Sequence, residues 1–244
     1  LLGNHDTYYK NTNEVNSPSL LLKEYQNIHI VDTPSEIEFQ AGESPVLLVP
    51  WICQENAHEV FDSIRSTRSQ VVMGHFEIEG FQMYKGHDND EGFDRKLFDK
   101  FDLVCSGHFH HRSTSGNIYY LGSPAEYTWS DYNDPRGFHI FDTETRQLTF
   151  IENPYKMFHK ILYDDSSNDF ETWKRYNYAP LKDCFVKVVV LNKQNPFLFD
   201  SVLDNIYKAG VADLSIVEDF TDPTSAAYGV IAGMPFIPAT STGN

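Results

Sequence analysis

An α/β fold is predicted for this chain, and three observations predict it. Residues 46–49, 71–73 and 103–105 form short aliphatic runs with the length of buried strands. The segments between them repeat apolar residues at helical spacing, as at Val60, Phe61 and Ile64. Glycine-led polar motifs, Gly74-His75 and Gly107-His108-Phe109-His110, follow two of the runs, where a strand gives way to a loop.

The elements follow in order. Ser17-Pro18 reads as a helix start, serine capping and proline in the first turn, with Leu20, Leu21 and Tyr25 as the apolar face. Residues 28–31 and 46–49 read as strands, and 55–66 as a helix with Val60, Phe61 and Ile64 inward. Residues 71–73 form a buried strand ending at His75. Phe93, Leu97, Phe98 and Phe101 predict a helix leading into a further buried strand at 102–106. Beyond His110 the pattern turns to strands at 118–121, 138–141 and 148–151, punctuated by Asn133-Asp134-Pro135-Arg136-Gly137.

Pro154 marks an expected boundary, giving a first domain at 1–153 and a small α+β domain at 154–220. The second reads as strands at 158–163 and 185–191, a helix at 196–209 and a strand at 213–217. From about Thr221 to residue 244, glycines, prolines and small residues predict an irregular or disordered tail.

Composition narrows the function. The chain has 244 residues, 41% of them hydrophobic, enough for a real core. No apolar run approaches the roughly 20 residues that span a bilayer. Three widely spaced cysteines make neither a disulfide framework nor a thiolate metal knuckle, which favours a reducing cytoplasm. The net charge of −16 opposes a generally basic nucleic-acid binder. Residues 1–152 hold 11 Lys and Arg against 24 Asp and Glu, so most of the acid lies in the part bearing the histidine motifs. Bound divalent cations would offset some of that charge and draw phosphate locally.

Three motifs carry the chemistry: Gly3-Asn4-His5-Asp6, Gly74-His75 and Gly107-His108-Phe109-His110. In open α/β sheets ligands gather beyond the carboxyl ends of strands, where these motifs fall. Each alone has a bland reading: a Gly-His pair is common, and Asn and Asp favour turns. Together, each after an apolar run, they offer an amide oxygen and several imidazoles at one rim. Those donors suit divalent transition metals, and the neutral oxygen of Asn4 suits a harder ion such as manganese. The glycines are read as permitting sharp exit turns. His108 and His110, two apart, can point to one side. His87-Asp88 is read as a border of the site; His111, turned away from the pocket by strand alternation, is read as supporting the ligands from behind or facing solvent, and His29, His58, His139 and His159 as lying in regular elements with no ligand partner nearby. Arg112 and Arg136 are read as salt-bridge partners rather than phosphate contacts, and Phe81, Tyr84, Tyr119 and Tyr120 as packing residues.

On these three motifs the sequence resembles the calcineurin-like metallophosphoesterases. More narrowly it is similar to the SbcD-type recombination nuclease subunits, including those of T-even-like phages. Pro50-Trp51-Ile52-Cys53-Gln54-Glu55-Asn56, Gly74-His75-Phe76-Glu77, Ser106-Gly107-His108-Phe109-His110 and Asn133-Asp134-Pro135-Arg136-Gly137-Phe138 carry that narrower likeness, over about residues 1–220. The resemblance implies part of a sandwich of two packed sheets flanked by helices, then a capping domain. It implies two manganese ions. Asn4, His75 and His108 would ligate one and His110 the other. His5 would stabilise the transition state or protonate the leaving oxygen, and Asp6 would orient His5. It further implies DNA as substrate, an SMC-like ATPase partner of the SbcC type, a homodimer and no membrane.

The family's earlier Asp-x-His and Gly-Asp-x-x-Asp motifs have no counterpart in these residues. The sequence also opens inside the Gly-Asn-His-Asp motif, so this polypeptide is expected to be an incomplete form that binds metal weakly and catalyses little. Two rival readings stand beside the nuclease. One is a phosphatase or cyclic-nucleotide phosphodiesterase with the same centre, and the other a non-catalytic ATPase-binding module.

Overall fold

The computed structural model describes residues 1–39, 44–84, 87–89, 91–166 and 170–218, with the side chains of residues 84, 87 and 88 left aside. Chain compactness divides it into two units. The first comprises Leu1–Ala125 and Asn133–Pro154; the second comprises Glu126–Tyr132 and the chain from Tyr155 on.

The first unit runs α1 (Ser17–Leu22), β1 (Ser35–Ile37), β2 (Val46–Val49), α2 (Ala57–Ser66), β3 (Val71–Gly74), β4 (Phe81–Tyr84), β5 (His87–Asn89), β6 (Leu103–Ser106), β7 (Ser113–Ser115), β8 (Ile118–Tyr120), β9 (Gly137–Phe141) and β10 (Leu148–Glu152). Its main sheet has the order β1-β2-β3-β6-β8-β7. The four central strands are parallel, in the registers Val46↔Val71, Val71↔Leu103 and Val104↔Ile118, and the edge strands β1 and β7 are antiparallel. Parallel strands buried on both faces need continuous aliphatic sequence, and these have it.

The two faces divide the side chains by the alternation of a strand. Leu47, Val49, Val72 and Val104 face α2, whose Val60 and Ile64 are fully buried, and join Phe76, Phe98, Phe109 and Tyr120 in the larger core. Val46, Val71, Leu103 and Cys105 face the other way, against Phe141 and Leu148 of the β9–β10 hairpin. Burial pushes the Cys105 thiol up to about 12, so it behaves as a small apolar residue. Of the two packed sheets expected, the second layer among the described residues is this two-stranded hairpin.

Several sequence expectations are corrected here. Residues 28–31 form no strand; Ile28 is exposed, and Val31 only accepts a bond from Leu2 N–H. Helix α1 is capped by Asn16, whose side chain accepts from Ser19 N–H, rather than by Ser17. Its supposed apolar face points to solvent, with Leu20 and Leu21 65% and 72% exposed. Residues 93–101 yield only a 3₁₀ turn at Arg95–Phe98, yet Phe98 and Phe101 still reach the core. Irregular backbone satisfied the same apolar spacing.

The second unit contains β11 (Phe158–Asp164), α3 (Phe170–Arg175), β12 (Phe185–Asn192), α4 (Pro196–Lys208) and β13 (Asp213–Glu218). Its sheet is β11-β12-β13, parallel throughout. Parallel neighbours require a crossover, and α3, which the sequence pattern did not reveal, lies between β11 and β12. Ile161, Tyr163, Val186, Val188 and Val190 pack against Trp173 of α3 and Leu198, Phe199, Val202 and Ile206 of α4. Asn195 caps α4 by accepting from Leu198 N–H, with Pro196 in its first turn. The tail from residue 221 lies outside the described residues.

A buried carboxylate ties the loop before α4. Asp165 accepts from Gln194 N–H at 2.7 Å, Asn195 N–H at 2.8 Å and Tyr163 O–H at 3.0 Å. Burial alone would raise its pKa, but these donors outweigh burial and hold it below the usual 3.8. A depressed carboxyl stabilises the fold above the unfolded value and loses that contribution as pH falls through the folded one. Asp165→Asn is therefore expected to cost about 2 kcal/mol at pH 7. The deficit should shrink towards pH 3, as urea unfolding at the two pH values would reveal. An equal deficit at both would exclude the charge as its cause.

Candidate functional site

The parallel pair β3 and β6 ends in step, Gly74 opposite Ser106, with Gly107 N–H bonded to Gly74 O at 3.2 Å. The residues that follow, His75 and His108, therefore leave the sheet side by side. The N-terminal segment lies alongside β2, where Trp51 N–H donates to Leu2 O at 2.9 Å, and this brings Gly3-Asn4 to the same rim.

Three side chains meet there. His75 Nε2 lies 2.9 Å from Asn4 Oδ1 and 3.1 Å from His108 Nδ1. An amide oxygen only accepts, so in this arrangement His75 Nε2 carries the proton that a cation would replace. Burial, and then the charge of His108, push the His75 pKa down to about 4. His108 is also lowered, chiefly by burial, with Glu77 acting in the opposite direction. Both imidazoles are thus neutral at pH 7, the form that binds metals. His5 and His110 stand close enough for their charges to act on both rings.

The donor set fits a divalent ion. Bonds of about 2.1 Å at right angles put neighbouring donors about 3 Å apart, which is the spacing of Asn4 Oδ1 and of His108 Nδ1 from His75 Nε2. Among the described residues no group of three or more His, Cys, Asp or Glu side chains could hold an ion. The triad differs in counting an asparagine oxygen.

Buried polar groups brace the histidine segments. Ser106 Oγ accepts from Phe76 N–H and donates to Phe76 O, both at 3.0 Å. Tyr120 O–H donates to Phe76 O at 3.0 Å and accepts from Ile78 N–H at 2.8 Å. The backbone beyond His75 is therefore pinned to β6 and β8. None of Gly3, Gly74 and Gly107 takes a positive φ, so the exit turns expected of them do not explain them, and Gly3 and Gly74 act instead by close approach. A Cβ on Gly3 would come within 3.0 Å of the His75 ring, and one on Gly74 within 2.3 Å of the Phe76 ring.

Trp51 is the site residue that sequence reasoning missed. Its ring lies 5.4 Å from that of His108 and 5.9 Å from that of His75, centroid to centroid. Its carbonyl accepts from Asn13 Nδ2 at 2.9 Å and Asn56 Nδ2 at 3.0 Å, which fixes the backbone that carries the indole. The signal was present in Pro50-Trp51-Ile52, but a lone tryptophan after a strand ordinarily reads as packing.

His5 is exposed and lines an open cleft of about 250 Å³ with Asp6, Tyr8, Asn16, Ser17 and Leu20. The Asp6 carboxylate accepts Gly3 N–H at 2.7 Å, closing a turn in which Asp6 N–H returns a bond to Gly3 O. Arg112 lies over the Phe150 ring at 4.2 Å, and Arg136 is buried against Asp134. The side chains of His87 and Asp88 lie outside the described residues.

No family model matches the chain. Curated relatives do. Exonuclease subunit 1 of Enterobacteria phage T4 is 33% identical over 207 residues, covering 84% of this chain and 58% of the relative. The SbcD component of the SbcCD nuclease of Staphylococcus epidermidis is 29% identical over 132 residues, 49% of this chain and 34% of the relative. Its counterpart in Staphylococcus saprophyticus is 27% identical over 138 residues, 51% of this chain and 36% of the relative. The chain thus spans less than two thirds of each relative's length. It is a homologue of the phage exonuclease subunit 1 and of the SbcD-type nucleases, in keeping with the metallophosphoesterase likeness of its histidine motifs.

Proposed function

We propose that this chain carries part of the metal centre of a DNA nuclease subunit that hydrolyses phosphodiester bonds by two-metal chemistry, as exonuclease and endonuclease. The observation that carries the reading is the convergence of Asn4 Oδ1 and His108 Nδ1 on His75 Nε2, each within hydrogen-bond distance of it. The nuclease names of the relatives support it.

Asn4, His75 and His108 would hold one ion and His110 would serve a second, manganese in both cases. Bound metal would supply positive charge for the phosphoryl oxygens and ease deprotonation of the attacking water. His5, exposed at the cleft, would donate a proton to the leaving oxygen. The turn closed by Asp6 onto Gly3 fixes the backbone that carries His5, and in that way Asp6 would orient it. Trp51 lies against the two partly buried imidazoles, limiting the directions from which water reaches them. The second unit would be the capping domain. The partners would be DNA, an SMC-like ATPase of the SbcC type and a second copy of the nuclease chain. The acidic surface, −16 overall, favours a small phosphoester as the competing substrate.

Manganese binding gives the first test. Paramagnetic Mn²⁺ at the triad should quench Trp51 fluorescence, a signal lost in Trp51→Phe though Trp129 and Trp173 remain, and reversed by a chelator. DNA cleavage would then be assayed with the chain alone and joined to the family's upstream acidic motifs. Quenching with Mn²⁺-dependent DNA cleavage is the expected result. Turnover of a small phosphodiester with DNA left intact would replace the nuclease by a phosphodiesterase. Failure of both activities, with ATPase binding intact, would leave a non-catalytic module.

A further inference from the structure

The segment 133–137 reaches back to the histidines that follow β6. Arg136 and Asp134 are only 2% and 5% exposed. Arg136 Nη2 lies 2.8 Å from Asp134 Oδ2, and Nη1 donates to the carbonyl of His110. The same Asp134 oxygen stands 2.8 Å from Nδ1 of His111. Ser123 N–H gives the His110 carbonyl a second donor at 3.1 Å. Gly122 makes this approach possible: at φ 74° it holds a backbone in which a Cβ would lie 2.9 Å from the same oxygen.

Consecutive residues are therefore gripped from one side, His110 by its carbonyl and His111 by its ring. Fixing that peptide plane removes the backbone freedom that would let the His110 side chain swing, and it anchors the short segment that carries His108. An ion pair is a costly way to add stability in a protein interior, since desolvation offsets most of its attraction. What a planar guanidinium offers instead is direction, one fork holding a carboxylate and a carbonyl together. The opposed charges also leave little net field at the imidazoles.

The geometry points to Asp134, Arg136 and His111 as a positioning clamp that aims the imidazoles of His108 and His110 at a divalent cation. This rests on the metal-centre reading above. The three are positioning residues, acting through the histidines and not on substrate.

The test uses the whole chain with Asp134→Asn, Arg136→Lys and His111→Gln. Two readouts are taken on folded protein: Mn²⁺ affinity from Trp51 quenching, and the ring NMR signals of His108 and His110 without metal. The expected result for Asp134→Asn and Arg136→Lys is about a tenfold or greater loss of affinity, the scale of outer partners of metal ligands. Displaced signals for His108 and His110 should accompany it, with the exposed His58 unmoved. His111→Gln should act in the same direction and more weakly. Should the buried-pair variants fail to fold, His111→Gln, whose side chain is 20% exposed, carries the test. Unchanged ring signals and affinity in folded variants would overturn the clamp. If the unaltered chain binds no Mn²⁺, the metal reading fails. The ring signals then decide the clamp: displaced they support it, unmoved they refute it.

Discussion

Replacing His5 with alanine is expected to slow phosphodiester cleavage by about 10²- to 10⁴-fold, the range of a positioned acid or base. Mn²⁺ affinity should stay within about twofold of its unaltered value, because Asn4, His75 and His108 make the contacts that define the triad. The separation rests on position. His5 is exposed at the cleft, whereas His75 and His108 are partly buried and packed against Trp51. The measurement pairs single-turnover cleavage at saturating Mn²⁺, in the form joined to the upstream motifs, with the Trp51 titration. Equal losses in rate and affinity would make His5 a ligand. An unaltered rate would remove it from the chemistry.

The second large effect concerns Gly74. A methyl group there would lie 2.3 Å from Phe76 Cζ and 2.6 Å from Cε2. The ring cannot easily retreat. Phe76 is fully buried, its ring 4.9 Å from that of Phe98, and its backbone is bonded at both polar atoms to Ser106 and Tyr120. Gly74→Ala should cost about 3 kcal/mol, the upper part of the range for overpacking, and disturb His75 next to it. Gly107→Ala is the matched control. Its added Cβ would meet His75 Nδ1 at 3.7 Å, an ordinary contact, so a change within about 0.5 kcal/mol is expected. Urea unfolding of the two variants decides the matter. Similar destabilisation by both would mean that the glycines serve backbone conformation after all.

Much of the central architecture was legible because burial dictates composition. β2, β3 and β6 are buried on both faces and had no alternative to aliphatic runs. His75 and His108 could be singled out because each follows such a run with a glycine before it, and Asn4 because it follows Leu1-Leu2-Gly3 within the Gly-Asn-His-Asp motif. Elsewhere local pattern was a poor guide. Leu20 and Leu21 have helical spacing but no partner surface in the core clusters, and the spacing of Phe93 to Phe101 was compatible with irregular backbone. α3 carries Trp173 into the second core from a helix of six residues, too short for periodicity to register. The roles of Trp51 and Arg136 depend on what lies across from them. Nothing local in Pro50-Trp51-Ile52 or Pro135-Arg136-Gly137 names a histidine as the neighbour.

The triad's donors are distant along the chain, Asn4 and His75 lying 71 positions apart and His75 and His108 33 positions apart. A cation gripping all three would close both loops at once, as a reversible cross-link does. Its affinity would then be inseparable from the folding of the first unit: at 100 times the dissociation constant, binding adds about 2.7 kcal/mol to the stability of the closed chain. Protease resistance should rise with Mn²⁺ concentration. A site drawn from segments so far apart would thus make the ion a clasp for the sheet as well as a participant at its rim.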